Sequence, residues 1–262
     1  MQSISFDRAA DFYDQTRGYP PGVSDRIASA TCALLSPGAV ILEIGIGTGR
    51  ISCPLAARGL QVSGIDLSKR MMQRLVAALP GGAARPDLVQ ADAAFLPRAP
   101  GAFEAVLAVH VFHLIAGWRE ALEEVRRVLR PGGCLLSGYD WQPPDSLITS
   151  LNNQWWEIAR TYYAQAGRPG PRDFDPILAR LQEMGAELDE IPVAEWTTTH
   201  RIDRYLTHLE AGIFSATWGV PPEVLRHAVQ DLRLWAVEQF GSLEREFSVP
   251  RKFIWGRFRF KA

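Results

Sequence analysis

Short apolar segments alternate with helical segments between residues 38 and 141, and this order restricts the possible folds more than any other feature. Five segments are rich in Val, Ile, Leu and Ala along almost their whole length, as strands buried on both faces are. They cover residues 39–45, 61–66, 87–91, 103–111 and 134–139. The helical segments lie at residues 23–35, 50–58, 68–79 and 118–129. This alternation predicts a doubly wound α/β fold, in which helices cover both faces of a parallel sheet.

The remainder of the chain is richer in aromatic residues and contains longer helical stretches. We predict helices at residues 151–165, 176–184, 203–214 and 223–240, and further strands at residues 186–196 and 252–260. The complete prediction is a mostly parallel seven-stranded sheet with an inserted helical cap. The α/β domain then consists of residues 1–141, 171–200 and 250–262, and the cap of residues 142–170 and 201–249. Insertions of this kind commonly shape ligand cavities.

Charge and cysteine content argue against several classes of protein. The 28 basic and 29 acidic residues give a formal net charge of −1, which is not the basic balance of a nucleic-acid binder. Cys32, Cys53 and Cys134 form no CxxC pair, and the histidines lack HExxH spacing, so we predict neither a disulfide framework nor a metal site. The chain shows no secretory signal and no apolar run of membrane-spanning length. We expect a cytoplasmic monomer or homodimer that binds a small molecule, without a nucleic-acid or membrane partner.

A glycine-rich turn follows the first predicted strand, with Gly45, Gly47 and Gly49 in GxGxG spacing. Glycines at such a turn allow a bound ligand to approach the backbone closely. Arg50 stands where the dinucleotide fingerprint GxGxxG has its third glycine, so the turn departs from the common nicotinamide pattern. Asp66 closes the second strand, about twenty residues further on, where a carboxylate can accept hydrogen bonds from ribose hydroxyls.

Four segments together resemble the Rossmann-like (class I) S-adenosylmethionine-dependent methyltransferases, and especially those that act on small molecules. They are VILEIGIGTGR at residues 40–50, GIDLSKRMM at 64–72, ADAAFLP at 91–97 and LRPGG at 129–133. The resemblance covers residues 5–141 well and the cap only in outline. It implies a Rossmann-like fold, S-adenosylmethionine as cofactor, S-adenosylhomocysteine as product, and in-line transfer of a methyl group to a small molecule.

The resemblance also implies roles for particular residues in holding the cofactor. Glu43 and the backbone of Gly45 and Gly47, in the loop that ends with Gly49, would hold the methionine part, and Asp66 the ribose hydroxyls. Asp92 would meet the adenine amino group, although an ordinary turn or cap acid is the alternative for this residue. The walls of the adenine site would be Leu67, Met71, Ala93 and Phe95.

The N-terminal residues 6–20 are similar to a leading helix that folds over the cofactor in this family. Tyr13 and Arg17 would then contact the cofactor carboxylate or close the pocket. For Arg17, a helix that packs on the domain edge through Phe6 and Phe12 explains the sequence equally well.

His110 and His113 follow the fourth predicted strand, at the edge of the sheet where open α/β folds bind ligands. Either imidazole can accept a proton from an acceptor hydroxyl, amine or acid, because histidine titrates near neutral pH. The alternative is a structural imidazole that lines the cavity or bonds to the backbone. Since a sulfonium methyl group is already electrophilic, a base is needed only for an acceptor that carries a proton.

Two other functions are compatible with the glycine turn and Asp66. An NAD(P)-dependent oxidoreductase uses a similar turn and acid, and a catalytically silent binding module can retain the cofactor motifs without turnover. Methylation of RNA or protein is disfavoured, because it usually requires a basic face or an additional recognition domain. The sequence does not specify the acceptor or the atom that is methylated.

Overall fold

The computed structural model describes residues 2–164 and 166–261. In this part of the chain seven strands form one sheet, in the order β3-β2-β1-β4-β5-β7-β6. The strands are β1 (Val40–Ile44), β2 (Gln61–Asp66), β3 (Asp87–Gln90), β4 (Phe103–Val109), β5 (Leu129–Trp141), β6 (Ala186–Arg201) and β7 (Glu246–Phe260).

The sheet confirms the predicted doubly wound α/β fold. β1 pairs in parallel with β2 on one side and with β4 on the other, and β2–β3 and β4–β5 are also parallel. The strand order reverses between β1 and β4, which creates the crevice at the carboxyl ends of the strands where such sheets bind ligands. Ile41 and Leu42 in β1 are completely buried, as expected for a central strand covered on both faces.

Helices connect the strands, and most begin and end within a few residues of the predicted bounds. The helix predicted at residues 151–165 begins at Leu147, because the hydroxyl of Ser146 accepts a hydrogen bond from the N–H of Thr149 and caps it. The predicted last residue, 165, lies outside the described residues. The helices are α1 (Tyr13–Arg17), α2 (Val23–Ala33), α3 (Ser52–Ala56), α4 (Lys69–Ala78), α5 (Trp118–Val128), α6 (Leu147–Tyr162), α7 (Asp175–Glu183), α8 (Ile202–Glu210) and α9 (Pro222–Phe240).

The Pro-Gly-Gly segment at residues 131–133 differs from the prediction. We predicted a helix that ends at residue 129 and a strand that begins at residue 134, whereas β5 already begins at Leu129. The pairing of β4 with β5 shifts register between Phe103 and Ala105, and Gly132 has a φ of +78°. Residues 131–133 therefore form an irregular start of β5. Glycine within a strand often marks an irregularity of this kind.

The described residues divide into two compact units. The first unit runs to Asp140 and also contains Pro169–Ala194 and the residues from Phe253 onward. The second contains Trp141–Arg168 and Glu195–Lys252. These bounds differ from the predicted domain bounds by up to six residues, because β6 and β7 are long and each contributes residues to both units.

Each unit has its own apolar core. In the first, Leu42, Val106 and Leu135 from the sheet pack with residues of α5 and α7. In the second, Leu151 and Trp155 of α6 pack with residues of α8 and α9. No helix within the described residues is both long enough and apolar enough to cross a membrane.

Candidate functional site

A cleft opens at the carboxyl ends of β1, β2 and β4 in the first unit. It has a volume of about 640 Å³, including the part that is open to solvent. The cleft lies where the strand order reverses, at the position expected for a ligand site in this fold. Its lining combines backbone, acids, one imidazole and apolar side chains: Ile4, Phe6, Tyr13, Ile44, Gly45, Gly47, Ile65, Asp66, Leu67, Met71, Ala91, Asp92, Ala93, Val109, His110, Val111, Leu114 and Ile115.

The glycine-rich loop forms one wall of the cleft. Gly45 has a φ of +72°, and a Cβ atom there would lie 2.7 Å from Cγ2 of Val111. Gly47 has a φ of +55°, and its Cβ would lie 3.3 Å from Cε of Met71. Side chains at these two positions would therefore strain the turn and crowd the side chains of Val111 and Met71, which line the cleft beside the loop.

Asp66 ends β2 and fixes the neighbouring loops. Its Oδ2 accepts a hydrogen bond of 2.9 Å from the N–H of Gly47, and its Oδ1 accepts one of 2.7 Å from the N–H of Ser68. Burial raises the pKa of Asp66 above its ordinary value, although the two N–H groups act in the opposite direction. A carboxylate has about four lone-pair sites, so each oxygen can still accept a hydrogen bond from a ligand.

Glu43 lies beneath the loop and does not line the cleft. Its side chain is 3% exposed and accepts a hydrogen bond from the hydroxyl of Ser52 in α3. Burial raises the pKa of Glu43 to about 8, although the Ser52 hydroxyl and the Arg50 guanidinium both lower it. Glu43 thus connects β1 to α3, and the structure does not bring its side chain to the cleft lining.

Asp92 also lines the cleft, and it contacts both its own turn and the N-terminal segment. Its Oδ1 accepts from the N–H of Ala94, in the manner of a turn acid, and its Oδ2 accepts a hydrogen bond of 3.2 Å from the hydroxyl of Ser3. The N–H of Ile4 donates to the carbonyl of Leu114 at 2.9 Å. The turn interpretation and the cleft-lining position therefore both hold for Asp92.

The N-terminal segment continues across the loops that border the cleft. Asp7 accepts a hydrogen bond of 2.6 Å from the hydroxyl of Ser68, which caps α4, and this bond lowers the pKa of Asp7. Further along, Asp14 accepts one of 2.6 Å from the hydroxyl of Thr48 in the glycine-rich loop. These two hydrogen bonds hold the N-terminal segment against the loop that follows β1 and the loop that follows β2.

His110 is the first residue after β4 and lines the cleft. Within the described residues it is the only non-glycine with a positive φ, at 51°. Its Nε2 lies 3.5 Å from Oδ2 of Asp140 near the end of β5. A left-handed backbone at a non-glycine residue costs about 1 kcal/mol or more and is found most often where function requires a particular side-chain direction.

Besides Glu43, four of the residues predicted from the sequence do not line the cleft. His113 lies in a short 3-10 turn, where its carbonyl accepts a hydrogen bond from the N–H of Gly170. The Arg17 carbonyl accepts a hydrogen bond from the Arg50 guanidinium. Gly49 faces Leu75 of α4, and Phe95 is 78% exposed. The other predicted residues, Tyr13, Gly45, Gly47, Asp66, Leu67, Met71, Asp92, Ala93 and His110, do line it.

Sequence reasoning missed Ile4, Ile115 and Asp140. Ile4 lies in an extended segment without periodicity, and Ile115 lies in the connection between β4 and α5, so neither carries a local signal. Asp140 directly follows a predicted strand, and the sequence around it does not show that it contacts Tyr19 and His110. A search for polar residues at the carboxyl end of every predicted strand would have found it.

Comparisons with known proteins agree with this geometry. A model of the methyltransferase domain matches residues 42–137. A demethylmenaquinone methyltransferase of Beutenbergia cavernae is 33% identical over 188 residues, which are 70% of this chain and 76% of that protein. An uncharacterized methyltransferase of Mycobacterium tuberculosis is 35% identical over 180 residues, which are 68% of this chain and 64% of the relative. The match thus spans slightly less than two thirds of the mycobacterial protein.

The fold has a counterpart in the solved structure of the YcgJ protein of Bacillus subtilis. The TM-score is 0.61 at 17% identity, and the alignment covers 91% of this chain and 99% of that one. Taken with the sequence relatives, these matches show that the chain belongs to the class I S-adenosylmethionine-dependent methyltransferases. This membership decides against the nicotinamide-dependent alternative.

Proposed function

We propose that this chain methylates a small molecule whose reacting atom carries a proton, with S-adenosylmethionine bound in the cleft and His110 as the base. The observation that carries the proposal is the lining of the cleft. One wall has a glycine backbone and the partly buried carboxylate of Asp66, and an imidazole lies at the end of the neighbouring strand β4. Family membership implies the cofactor, whereas the residue roles and the acceptor class are our inference.

The cleft fits the cofactor at three points. The loop at Gly45 and Gly47 presents only backbone to the cleft, because a side chain at either position would strain the turn and crowd Val111 or Met71. Asp66 retains acceptor sites for two ribose hydroxyls. Asp92 faces the cleft between apolar residues that suit a flat ring, namely Leu67, Met71 and Ala93. We therefore assign the methionine part to the loop, the ribose to Asp66 and the adenine to the Asp92 side.

S-adenosylmethionine supplies a methyl group that its sulfonium charge already activates. The protein has to orient the acceptor, exclude water and remove a proton where the acceptor holds one. His110 is suited to the last task because it lines the cleft and has a half-exposed imidazole. His113 does not line the cleft, so we retain only His110 as the candidate base.

The relative from Beutenbergia cavernae supports a quinone, together with its reduced quinol form, as the first acceptor class to test, since its name gives demethylmenaquinone as substrate. The purified chain is incubated with S-adenosylmethionine and separate acceptors, including demethylmenaquinol, simple phenols, amines and carboxylic acids. Formation of S-adenosylhomocysteine is followed by mass spectrometry. We expect turnover with a protonated acceptor and much less with the His110→Asn variant.

Two results would contradict the proposal. Tight binding of S-adenosylhomocysteine without turnover on any acceptor class would favour the silent binding module. Equal turnover by the native chain and the His110→Asn variant would remove His110 as the base. Calorimetry with S-adenosylhomocysteine and with NADH, measured on both proteins, shows whether the variant retains an intact cofactor site.

A further inference from the structure

A series of polar contacts leads from the glycine-rich loop to His110. The guanidinium of Arg50 lies 4.3 Å from the centroid of the Tyr19 ring. The hydroxyl of Tyr19 donates a hydrogen bond of 3.2 Å to Oδ1 of Asp140. The second oxygen of the same carboxylate, Oδ2, lies 3.5 Å from Nε2 of His110. One carboxylate therefore contacts both a phenol and the imidazole that lines the cleft.

Asp140 and His110 differ in their exposure. The Asp140 side chain is 13% exposed, whereas that of His110 is 38% exposed. Burial raises the pKa of Tyr19 well above its ordinary value, so its hydroxyl remains a hydrogen-bond donor over the physiological pH range. Tyr19 thus fixes one oxygen of Asp140, and the other oxygen remains directed at His110.

The backbone brings His110 and Asp140 together. β4 and β5 are parallel, with Val109 paired to Gly138, so His110, directly after β4, and Asp140, near the end of β5, lie side by side on neighbouring strands. The N–H of His110 donates to the carbonyl of Gly138 at 3.4 Å. A Cβ atom at Gly138 would lie 2.7 Å from the rings of Phe253 and Trp255, so only glycine allows β5 to pass so close to these rings.

We propose that Asp140 is a positioning residue, which keeps the proton on Nε2 of His110 and leaves Nδ1 as the proton acceptor. In neutral histidine, the partner of one ring nitrogen determines which nitrogen carries the proton. When the acceptor group loses its proton, an N–H bond forms at Nδ1, and the electron pair of the broken bond stays on the acceptor atom. Asp140 remains a carboxylate and balances the imidazolium charge. This inference rests on the proposed role of His110 as the base.

The Asp140→Asn variant provides a sharp test, because an amide has one acceptor oxygen in place of two. The Tyr19 hydroxyl takes that oxygen, and the NH2 group then faces Nε2 of His110 and favours the tautomer with the proton on Nδ1. In the double variant Tyr19→Phe with Asp140→Asn, the hydroxyl is absent. The amide can then turn its oxygen to His110, which restores the original tautomer.

The measurement is ¹⁵N NMR of histidine-labelled full-length chain, in which the ring nitrogen shifts identify the tautomer. The His110→Asn variant assigns the His110 signals among the five histidines. We expect an Nε2–H tautomer in the native chain, an Nδ1–H tautomer in Asp140→Asn, and Nε2–H again in the double variant. Asp25→Asn makes the same exchange at an exposed carboxylate that pairs with Arg58, and should leave the His110 signals unchanged.

The same tautomer in all four proteins would overturn the inference. Tyr19→Phe alone gives a second test that keeps the carboxylate. We expect faster exchange of the Nε2 proton with solvent, and unchanged exchange would count against the role of Tyr19. With an acceptor found by the screen, kcat of Asp140→Asn should fall at least about a hundredfold while the affinity for S-adenosylhomocysteine is retained. Full activity of Asp140→Asn, together with loss of activity in His110→Asn, would reject Asp140 but preserve the proposed function.

Discussion

The two sides of the cleft hold their polar groups by different means. On the side of β1 and β2, backbone conformation dominates, since Gly45 and Gly47 have positive φ values and Asp66 accepts hydrogen bonds from backbone N–H groups. On the side of β4 and β5, side chains hold one another, as His110 faces Asp140 and Asp140 accepts from Tyr19. The side of β1 and β2 therefore suits a ligand that does not vary, such as a cofactor. The side chains on the side of β4 and β5 can differ between proteins that have different acceptors.

The comparison makes Asp66→Ala the change with the largest expected effect on binding. Two hydrogen bonds from ribose hydroxyls to a carboxylate are together worth roughly 4 kcal/mol, so the affinity for S-adenosylhomocysteine should fall about a thousandfold. Titration calorimetry measures the loss. Asp66→Asn retains one acceptor oxygen, so its affinity for S-adenosylhomocysteine should lie between those of Asp66→Ala and the native chain. Unchanged affinity in Asp66→Ala would contradict the assignment of the ribose to Asp66.

Substitution on the other side of the cleft should affect catalysis and leave binding intact. His110→Asn should lower kcat about a hundredfold, which is the lower range for loss of a general base. Because asparagine tolerates a positive φ, the melting temperature and the affinity for S-adenosylhomocysteine should change little. The His113→Asn variant is the comparison, and a larger loss of kcat in His113→Asn than in His110→Asn would reverse our choice of base.

Glu43 offers a test of the support beneath the glycine-rich loop. Its folded-state pKa of about 8 exceeds the ordinary value of 4.5, so its contribution to stability is complete below about pH 4.5. That contribution is lost as the pH rises toward 8, by at most about 1.4 kcal/mol per pH unit. Urea unfolding should therefore show a pH dependence that Glu43→Gln reduces. Parallel curves for the two proteins would indicate an ordinary pKa.

The smallest effect is expected at Phe95, where the sequence and the structure disagree. Phe95→Ser should change the affinity for S-adenosylhomocysteine less than about twofold, because a surface substitution that removes no contact is close to neutral. This prediction is based on the 78% exposure of Phe95 and on its absence from the cleft lining. Met71→Ala is the comparison from within the cleft and should weaken binding more. A strong effect of Phe95→Ser would return this ring to the adenine site.

The sequence was most informative where the backbone determines the geometry. The glycine turn, Asp66 at the end of β2 and the strand alternation are all local patterns, and each gave the right position in the fold. The sequence correctly predicts that Glu43 lies near the carboxyl end of β1, but it does not show that the side chain turns inward to Ser52. The direction of a side chain at a strand end depends on the packing of the next helix.

Contacts between distant segments could not be predicted in the same way. Tyr19 and Asp140 are 121 residues apart, and Ser3 and Asp92 are 89 apart. No short-range periodicity relates such pairs, since they meet only after the sheet has assembled. His110 was identified from its place after β4, but its partner required the structure.

The core of the second unit has a consequence for synthesis on the ribosome. Helix α6 packs against α9, yet about 60 residues separate the end of one from the start of the other. At elongation rates of about 5–20 residues per second, α6 emerges several seconds before its partner. During that interval the indole rings of Trp155 and Trp156 lack their final covering, so the nascent chain passes through a stage that is open to chaperones and to aggregation.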